Sequence, residues 1–400
     1  MDARPSPPSP ARHGSRALLI AGIILIALNL RPALAALGPL VADIRDATGL
    51  SNSALGLLTT LPLLAFGAVS VFTPVVTRRL GVEGALGLAL ILIGVGTGVR
   101  YVPSVSLLFG GTLLLGIGIA LGNVLLPALV KRDFPHRSGS MTSLYSSVMG
   151  IAATTAAGIS VPLASAIGWR GALAAWTVVA GIALVLWLPQ MRHRHTRPQP
   201  RGTALDGLRT LGRSRLAWMV ALFMGLQSLT FYVILAWLPD LLQSRGMSAA
   251  DAGWMLALSQ GAGIVGSATF PLWASRMRDQ RPIIWFIVVI EGLSLGGLFL
   301  PGTDLVALSV TALGLVLGGS FGLTLLFLIL RADTSETATA LSGMAQSVGY
   351  LVAATGPPLF GWLYDLSGGW VIPLGSLLVV LVLKLIVGLP AASDEVCRSR

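Results

Sequence analysis

Apolar stretches long enough to cross a bilayer recur along the whole 400-residue chain, and this constrains the fold more than any motif does. A helix needs about 20 apolar residues to cross a hydrocarbon core of roughly 30 Å. Ala17 to Leu30, continuing past Arg31 to Leu40, and Leu216 to Leu238 meet that length. Only 11% of the residues are charged, against about 25% in soluble domains, so too little polar surface exists to coat a globule in water. Membrane barrels are excluded as well. Their strands run about 10 residues with strict alternation, whereas these segments are longer and apolar at both parities. The expected class is an all-α integral membrane protein of twelve transmembrane helices. Its spans read as 17–38, 52–74, 82–100, 105–129, 139–162, 170–189, 215–238, 251–273, 283–300, 304–328, 338–361 and 370–389.

The net charge of +11 is organised by these spans. Of the 27 Lys and Arg, Arg45, Arg100, Arg170 and Arg245 fall on one side and Arg31 lies within a helix; the other 22 are assigned to the opposite side. Basic loops mark the cytoplasmic side, which places both termini there, in the inner membrane of a bacterium. The charge is therefore a topology signal, and nucleic acid is not an expected partner. Residues 1–16, rich in Pro, Ser and Arg, read as a disordered cytoplasmic N-terminus, and 390–400 as a cytoplasmic tail. The 190–214 stretch, with six Arg against Asp206, reads as a linker between a 17–189 half and a 215–389 half. Arg31 inside the first apolar stretch, and the spans after it, argue against a cleaved signal peptide. Cys397 is the single cysteine, so no intrachain disulfide can form. His13, His136, His193 and His195 all sit in basic segments, which leaves no metal set at bilayer depth. No cofactor is expected.

The two halves repeat. Gly49-Leu50-Ser51 and Gly56 recur as Gly246-Met247-Ser248 and Gly253, and Leu61, Pro74 and Arg79 recur as Leu258, Pro271 and Arg276. Lys131-Arg132-Asp133 matches Arg331-Ala332-Asp333, and Gly168-Trp169 matches Gly369-Trp370. Ser51 and Ser248 are placed to cap helix N-termini, and Gly56 and Gly253 to let neighbouring helices approach closely. Six spans per half leave both copies in the same orientation. That is the parallel-repeat arrangement of the major facilitator fold, with a solute site between the halves near the midplane.

Several motifs carry a resemblance. Asn29-Leu30-Arg31-Pro32 with Gly38-Pro39-Leu40 resembles the first-helix signature of the cyanate and 2-nitroimidazole transporter family. Pro127-Ala128-Leu129-Val130-Lys131-Arg132, Ala236-Trp237-Leu238-Pro239 and Ser342-Gly343-Met344-Ala345-Gln346-Ser347 are similar to that family too, so the resemblance covers about 25–390. It implies that the first, fourth, seventh and tenth helices, supported by the second, fifth, eighth and eleventh, line the cavity. One departure stands out. The loop Thr73-Pro74-Val75-Val76-Thr77-Arg78-Arg79 lacks the Asp usual in the wider superfamily, as does the equivalent loop at Pro271 to Arg278, so no gating ion pair is carried over from that motif.

Arg31 is the strongest candidate for solute contact. It sits about fourteen residues into its helix, roughly 21 Å along, where a charge costs about 2.5–3.5 kcal/mol and usually marks a pathway. Pro32 opens the local backbone ladder. The functional reading is a cation that attracts an anion or an electron-rich solute; the competing one is an Arg bonded to carbonyls of neighbouring helices. Gln227 is the expected polar neighbour from a facing helix. Asn29, Asn123, Tyr145, Gln227, Tyr232, Gln260, Gln346 and Tyr350 complete the candidate set, each weighed against ordinary interhelical bonding worth only about 0.6 kcal/mol. Glu291 is an acid placed inside a span and a candidate for proton coupling, against a structural role. Lys384 reads as snorkelling from the last helix to the cytoplasmic face. Glycines 94, 96, 98, 116, 118 and 122 lie in apolar helices with no strand before them, so they read as packing positions and not as a nucleotide loop.

These features describe a secondary transporter working by alternating access on a small solute such as a small anion or heterocycle, acting as a monomer in the bilayer, and not an enzyme. A proton-driven drug exporter of the same fold is the alternative; it would favour an acid in the first or fourth helix, which is absent. A transporter-derived sensor would carry an added soluble domain, and a membrane hydrolase would need His or paired acids at depth.

Overall fold

Glycine turns and proline breaks decide where the apolar helices begin, bend and end. The computed structural model describes residues 11–134, 137–191, 211–300, 302–395 and 397. Residues 1–10 and 192–210, which hold most of the expected disordered start and of the expected linker, lie outside the described residues, as do His136, His193 and His195.

The first span is a chain of pieces, Ala11–Asn29, Pro32–Ala35, the 3-10 turn Gly38–Leu40, and Val41–Thr48. It therefore runs ten residues beyond the expected end at 38, and it is broken at Leu30 and Arg31. Asn52–Val99 holds the second and third spans, which join at Gly81 with φ of 72°. A side chain resists that left-handed conformation, so glycine lets the chain reverse without a loop. Gly168, at φ of 75°, does the same within Ser138–Ala174, and the sixth span continues through Trp176–Met191. Val105–Asp133 is the fourth span. The second half follows as Arg215–Gln243, Ala249–Ala274, Arg281–Gly297, Val306–Leu330, Ser335–Ser367 and Val371–Ala391. That makes twelve spans among the described residues. Nine are long and apolar enough to cross a membrane by length and composition. The sixth and ninth fall short of that measure because their apolar helices are brief, and the eleventh because Ser, Thr and Gly dilute it. Both expected caps form. Ser51 Oγ accepts from the Ala54 amide at 3.2 Å and Ser248 Oγ from the Asp251 amide at 3.1 Å.

Packing repeats between the halves. The second span lies on the fourth as the eighth lies on the tenth; the third meets the sixth as the ninth meets the twelfth; the first meets the fifth as the seventh meets the eleventh. The same order of neighbours in each half is what parallel repeats produce. Across the divide, the second span packs on the eleventh and the eighth on the fifth. A β-carbon added to Gly56 would sit 2.3 Å from the Pro357 carbonyl oxygen, and one added to Gly253 would sit 3.1 Å from that of Ala157. The repeated glycines are thus the close-approach points of these two crossings. A large apolar core extends through both halves, and a second occupies the later half between the seventh, ninth, tenth and twelfth spans.

Candidate functional site

The first span breaks where its sequence removes a backbone donor. Pro32 has no N–H with which to reach back a turn, so the helix stops at Asn29 and restarts at Pro32, leaving Arg31 as its N-cap residue at φ −121° and ψ −35°. Arg31 carries its charge near the middle of the 11–48 span and is partly exposed. Its guanidinium lies 5.9 Å from the centre of the Phe231 ring, on the seventh span of the other half. Its charge also acts on the hydroxyls of Tyr232 and Tyr350. Among the described residues its side chain has no hydrogen-bond or ion-pair partner.

Aromatic groups, and not the expected Gln227, therefore meet this cation. Gln227 lies one turn before Phe231 and is buried, donating from its amide to Ser228 Oγ at 2.7 Å. Phe231 and Tyr232 stack edge to face at 5.2 Å, Tyr350 meets Phe66 of the second span at 5.4 Å, and Tyr232 lines a cavity with residues of both halves, so both tyrosines stand at the divide between halves. This group comprises three of the candidates, Arg31, Tyr232 and Tyr350.

The remaining candidates lie elsewhere. Asn29, adjacent in sequence to the break, points within its own half, its amide donating to Leu25 and Val179 carbonyls at 2.8 and 3.5 Å. Tyr145 is buried on the fifth span and joins none of these contacts. Gln346 is exposed and donates to Ser342 Oγ at 3.1 Å. Asn123 and Gln260 are half-buried on the fourth and eighth spans and join none of these bonds. Glu291 is not in the central group. It is fully buried between the ninth and twelfth spans, 2.5 Å from Lys384 Nζ. Lys384 accordingly does not snorkel: it is 0% exposed. An acid and a base buried together neutralise each other locally, which offsets part of the desolvation cost of each. Near the chain termini, Arg132 pairs with Glu83 and Asp133 at 2.7 Å each, whereas its counterpart region uses Arg331, bonded to Gln280 and to the Ala391 carbonyl.

At the end of the bundle away from the termini the halves are tied together by groups that no sequence motif marks. Arg45, closing the first span, pairs with Asp240, closing the seventh. Asp365, near the end of the eleventh, caps the start of the second: it accepts from Asn52 Nδ2 at 2.7 Å, from the Asn52 amide at 3.2 Å and from the Ser53 amide at 2.9 Å. Thr60 donates to the Ala354 carbonyl at 3.0 Å across the same crossing. Asp240 had one sequence signal, a lone acid in an apolar helix next to Pro239; Asp365, which shares its helix with Glu336, had none.

Comparison with known proteins agrees with this geometry. The sequence profile of the Major Facilitator Superfamily matches residues 19–354. The chain is 45% identical over 387 residues to the 2-nitroimidazole transporter of Escherichia coli (strain K12), covering 96% of this chain and 98% of that protein. It is 41% identical over 380 residues to the uncharacterized transporter YycB of Bacillus subtilis (strain 168), 94% of each, and 29% identical over 350 residues to the cyanate transport protein CynX of Escherichia coli (strain K12), 87% of this chain and 90% of that protein. Among solved structures, the D-xylose-proton symporter superposes with a TM-score of 0.74 at 16% identity, covering 95% of this chain and 99% of the other, a likeness of fold alone. Twelve spans in two parallel halves, an unpaired cation between them and relatives of this kind make the chain a secondary transporter of a small solute and not an enzyme: it belongs to the major facilitator superfamily, within the cyanate and 2-nitroimidazole transporter family.

Proposed function

We propose that the solute is a small anion, or a small heterocycle presenting a strong hydrogen-bond acceptor, and that it binds at Arg31 between the halves. The observation that carries this is the state of the Arg31 guanidinium, which lies at a helix break, faces the Phe231 ring of the opposite half, and has no carboxylate partner among the described residues. A planar fork of N–H donors binds carboxylate-like or nitro-like acceptors in two-pronged fashion, and aromatic walls suit a flat or linear solute. Cyanate is an anion and a nitroimidazole is a flat ring with acceptor oxygens, so the chemistry of both names found among the relatives fits one such site. Transport then proceeds by alternating access, the halves rocking about the second–eleventh and fifth–eighth crossings. The basic loops support cytoplasmic termini in a bacterial inner membrane; in this reading the end closed by Arg45, Asp240 and Asp365 faces outward, and the chain acts as a monomer. Glu291, neutralised by Lys384, carries no coupling proton in this reading.

The test is uptake of labelled cyanate and of 2-nitroimidazole by proteoliposomes. Arg31→Lys keeps the charge but loses the fork, and Arg31→Gln loses both. We expect a loss of about tenfold or more in kcat/KM for the lysine variant, equivalent to about 1.4 kcal/mol of transition-state stabilisation, and a larger one for the glutamine variant, at unchanged expression. Normal transport by both would make Arg31 structural.

A further inference from the structure

The third span ends at Arg100, whose position looks like an ordinary loop-flanking charge in the sequence and whose surroundings are nothing of the kind. The side chain is 1% exposed. One terminal nitrogen donates to the Ala33 carbonyl at 3.3 Å, on the restarted helix just past Arg31. Its Nε and its other terminal nitrogen are buried with no partner. Arginine cannot shed its proton to escape such a setting, and among the described residues no carboxylate pairs with it. A buried cation with idle donors is costly, and an anion or other strong acceptor that reached them would offset that cost.

Arg100 lines a small cavity together with Thr59, Thr112, Tyr232 and apolar residues of the first, second and seventh spans. Its volume is about 10 Å³, at the limit for a single water. The wall is shared between halves: Ala33, Leu34, Leu37, Leu58, Thr59 and Thr112 come from the first, and Tyr232, Leu235 and Ala236 from the second. Rocking the halves apart at this end therefore widens it, and closing them empties it. Tyr232 belongs to both places, since it lines this cavity and feels the charge of Arg31.

We propose that Arg100 and Tyr232 form a second anion subsite, on the side of Arg31 away from the chain termini, which receives a compact monovalent anion when the halves part there and hands it to Arg31 as they close. The proposal rests on the reading of Arg31 as a solute contact. It assigns to Arg100 a role at one face of the membrane only, which a purely structural arginine would not have.

The experiment measures labelled cyanate entry into right-side-out and inside-out membrane vesicles carrying the full chain, so that each end of the bundle is presented in turn. Arg100→Met should raise KM about tenfold, or about 1.4 kcal/mol, in vesicles presenting the end away from the termini, and less than about twofold in the other orientation. Arg100→Lys should recover most of that loss, and Arg31→Gln should impair both directions. Equal effects of Arg100→Met from both sides, or none, would overturn the subsite while leaving Arg31 in place. If Arg100→Met fails to insert, Arg100→Gln, which keeps a donor for Ala33, provides the same comparison; a fully normal glutamine variant likewise overturns it. Wild-type vesicles that move no cyanate, or an Arg31→Gln variant active from both sides, would sink the anion reading of Arg31 and this proposal with it, whereas the Arg100→Met comparison decides the subsite alone.

Discussion

Lys384 and Glu291 illustrate how a single contact changes what a residue can be asked to do. Each alone would be a costly charge in a span; as a pair at 2.5 Å, with Lys384 also 5.9 Å from the Phe223 ring, they hold the ninth and twelfth spans together inside one half. Removing one partner of a buried pair costs about 3–5 kcal/mol because the other is left unpaired, whereas replacing both with apolar residues is often neutral. Glu291→Gln should therefore lower the thermal midpoint sharply, and Glu291→Gln with Lys384→Met should restore it along with solute transport. A stable double variant that no longer transports would return Glu291 to the mechanism. Arg31 differs from this pair in having no such partner among the described residues, and that difference supports the proposed solute contact.

At the scale of elements, the repeated Ser-and-Gly signature has a division of labour. Serine starts the second and eighth spans, and the glycine five residues on brings each of them against a helix of the opposite half. At Gly56 the neighbour is backbone, which cannot swing aside. Gly56→Ala should destabilise by about 1–3 kcal/mol, the usual cost of overpacking. Gly110→Ala, at an exposed helical position with open space around it, should be neutral or gain up to about 1 kcal/mol from helix propensity. Denaturation in detergent measures both. Equal behaviour of the two would mean that the second–eleventh crossing tolerates a wider spacing.

The whole molecule is latched at one end. Asp365 supplies the carboxylate that the start of the second span attracts, since helix N-termini favour negative charge, and Arg45 with Asp240 closes the first span against the seventh. Breaking the latch should shift the population toward the opposite opening. The single native cysteine, Cys397, is replaced by Ser, and Leu235, which lines the Arg100 cavity, becomes a cysteine reporter. Asp365→Ala should then speed its labelling by an external membrane-impermeant thiol reagent about fivefold or more, as a shift of about 1–2 kcal/mol implies. Labelling that stays unchanged would mean that Asp365 stabilises the fold without setting its opening.

Span number, the parallel repeat and the prominence of Arg31 are all legible in the sequence because they follow from local quantities: apolar length, loop charge, a cap and a glycine at fixed spacing, and a charge inside an apolar segment. Even the broken first span was signalled by Pro32, although its extension to Thr48 was not. Partners were beyond its reach. Whether a buried charge is neutralised depends on which helix lies beside it, and spacing along one chain carries no record of that. Glu291 and Lys384 lie 93 positions apart, Arg45 and Asp240 lie 195 apart, and Asn52 and Asp365 lie 313 apart. Only tertiary packing could turn Asn29 inward, pair Glu291 away from the path, and leave Arg31 and Arg100 as cations beside one tyrosine.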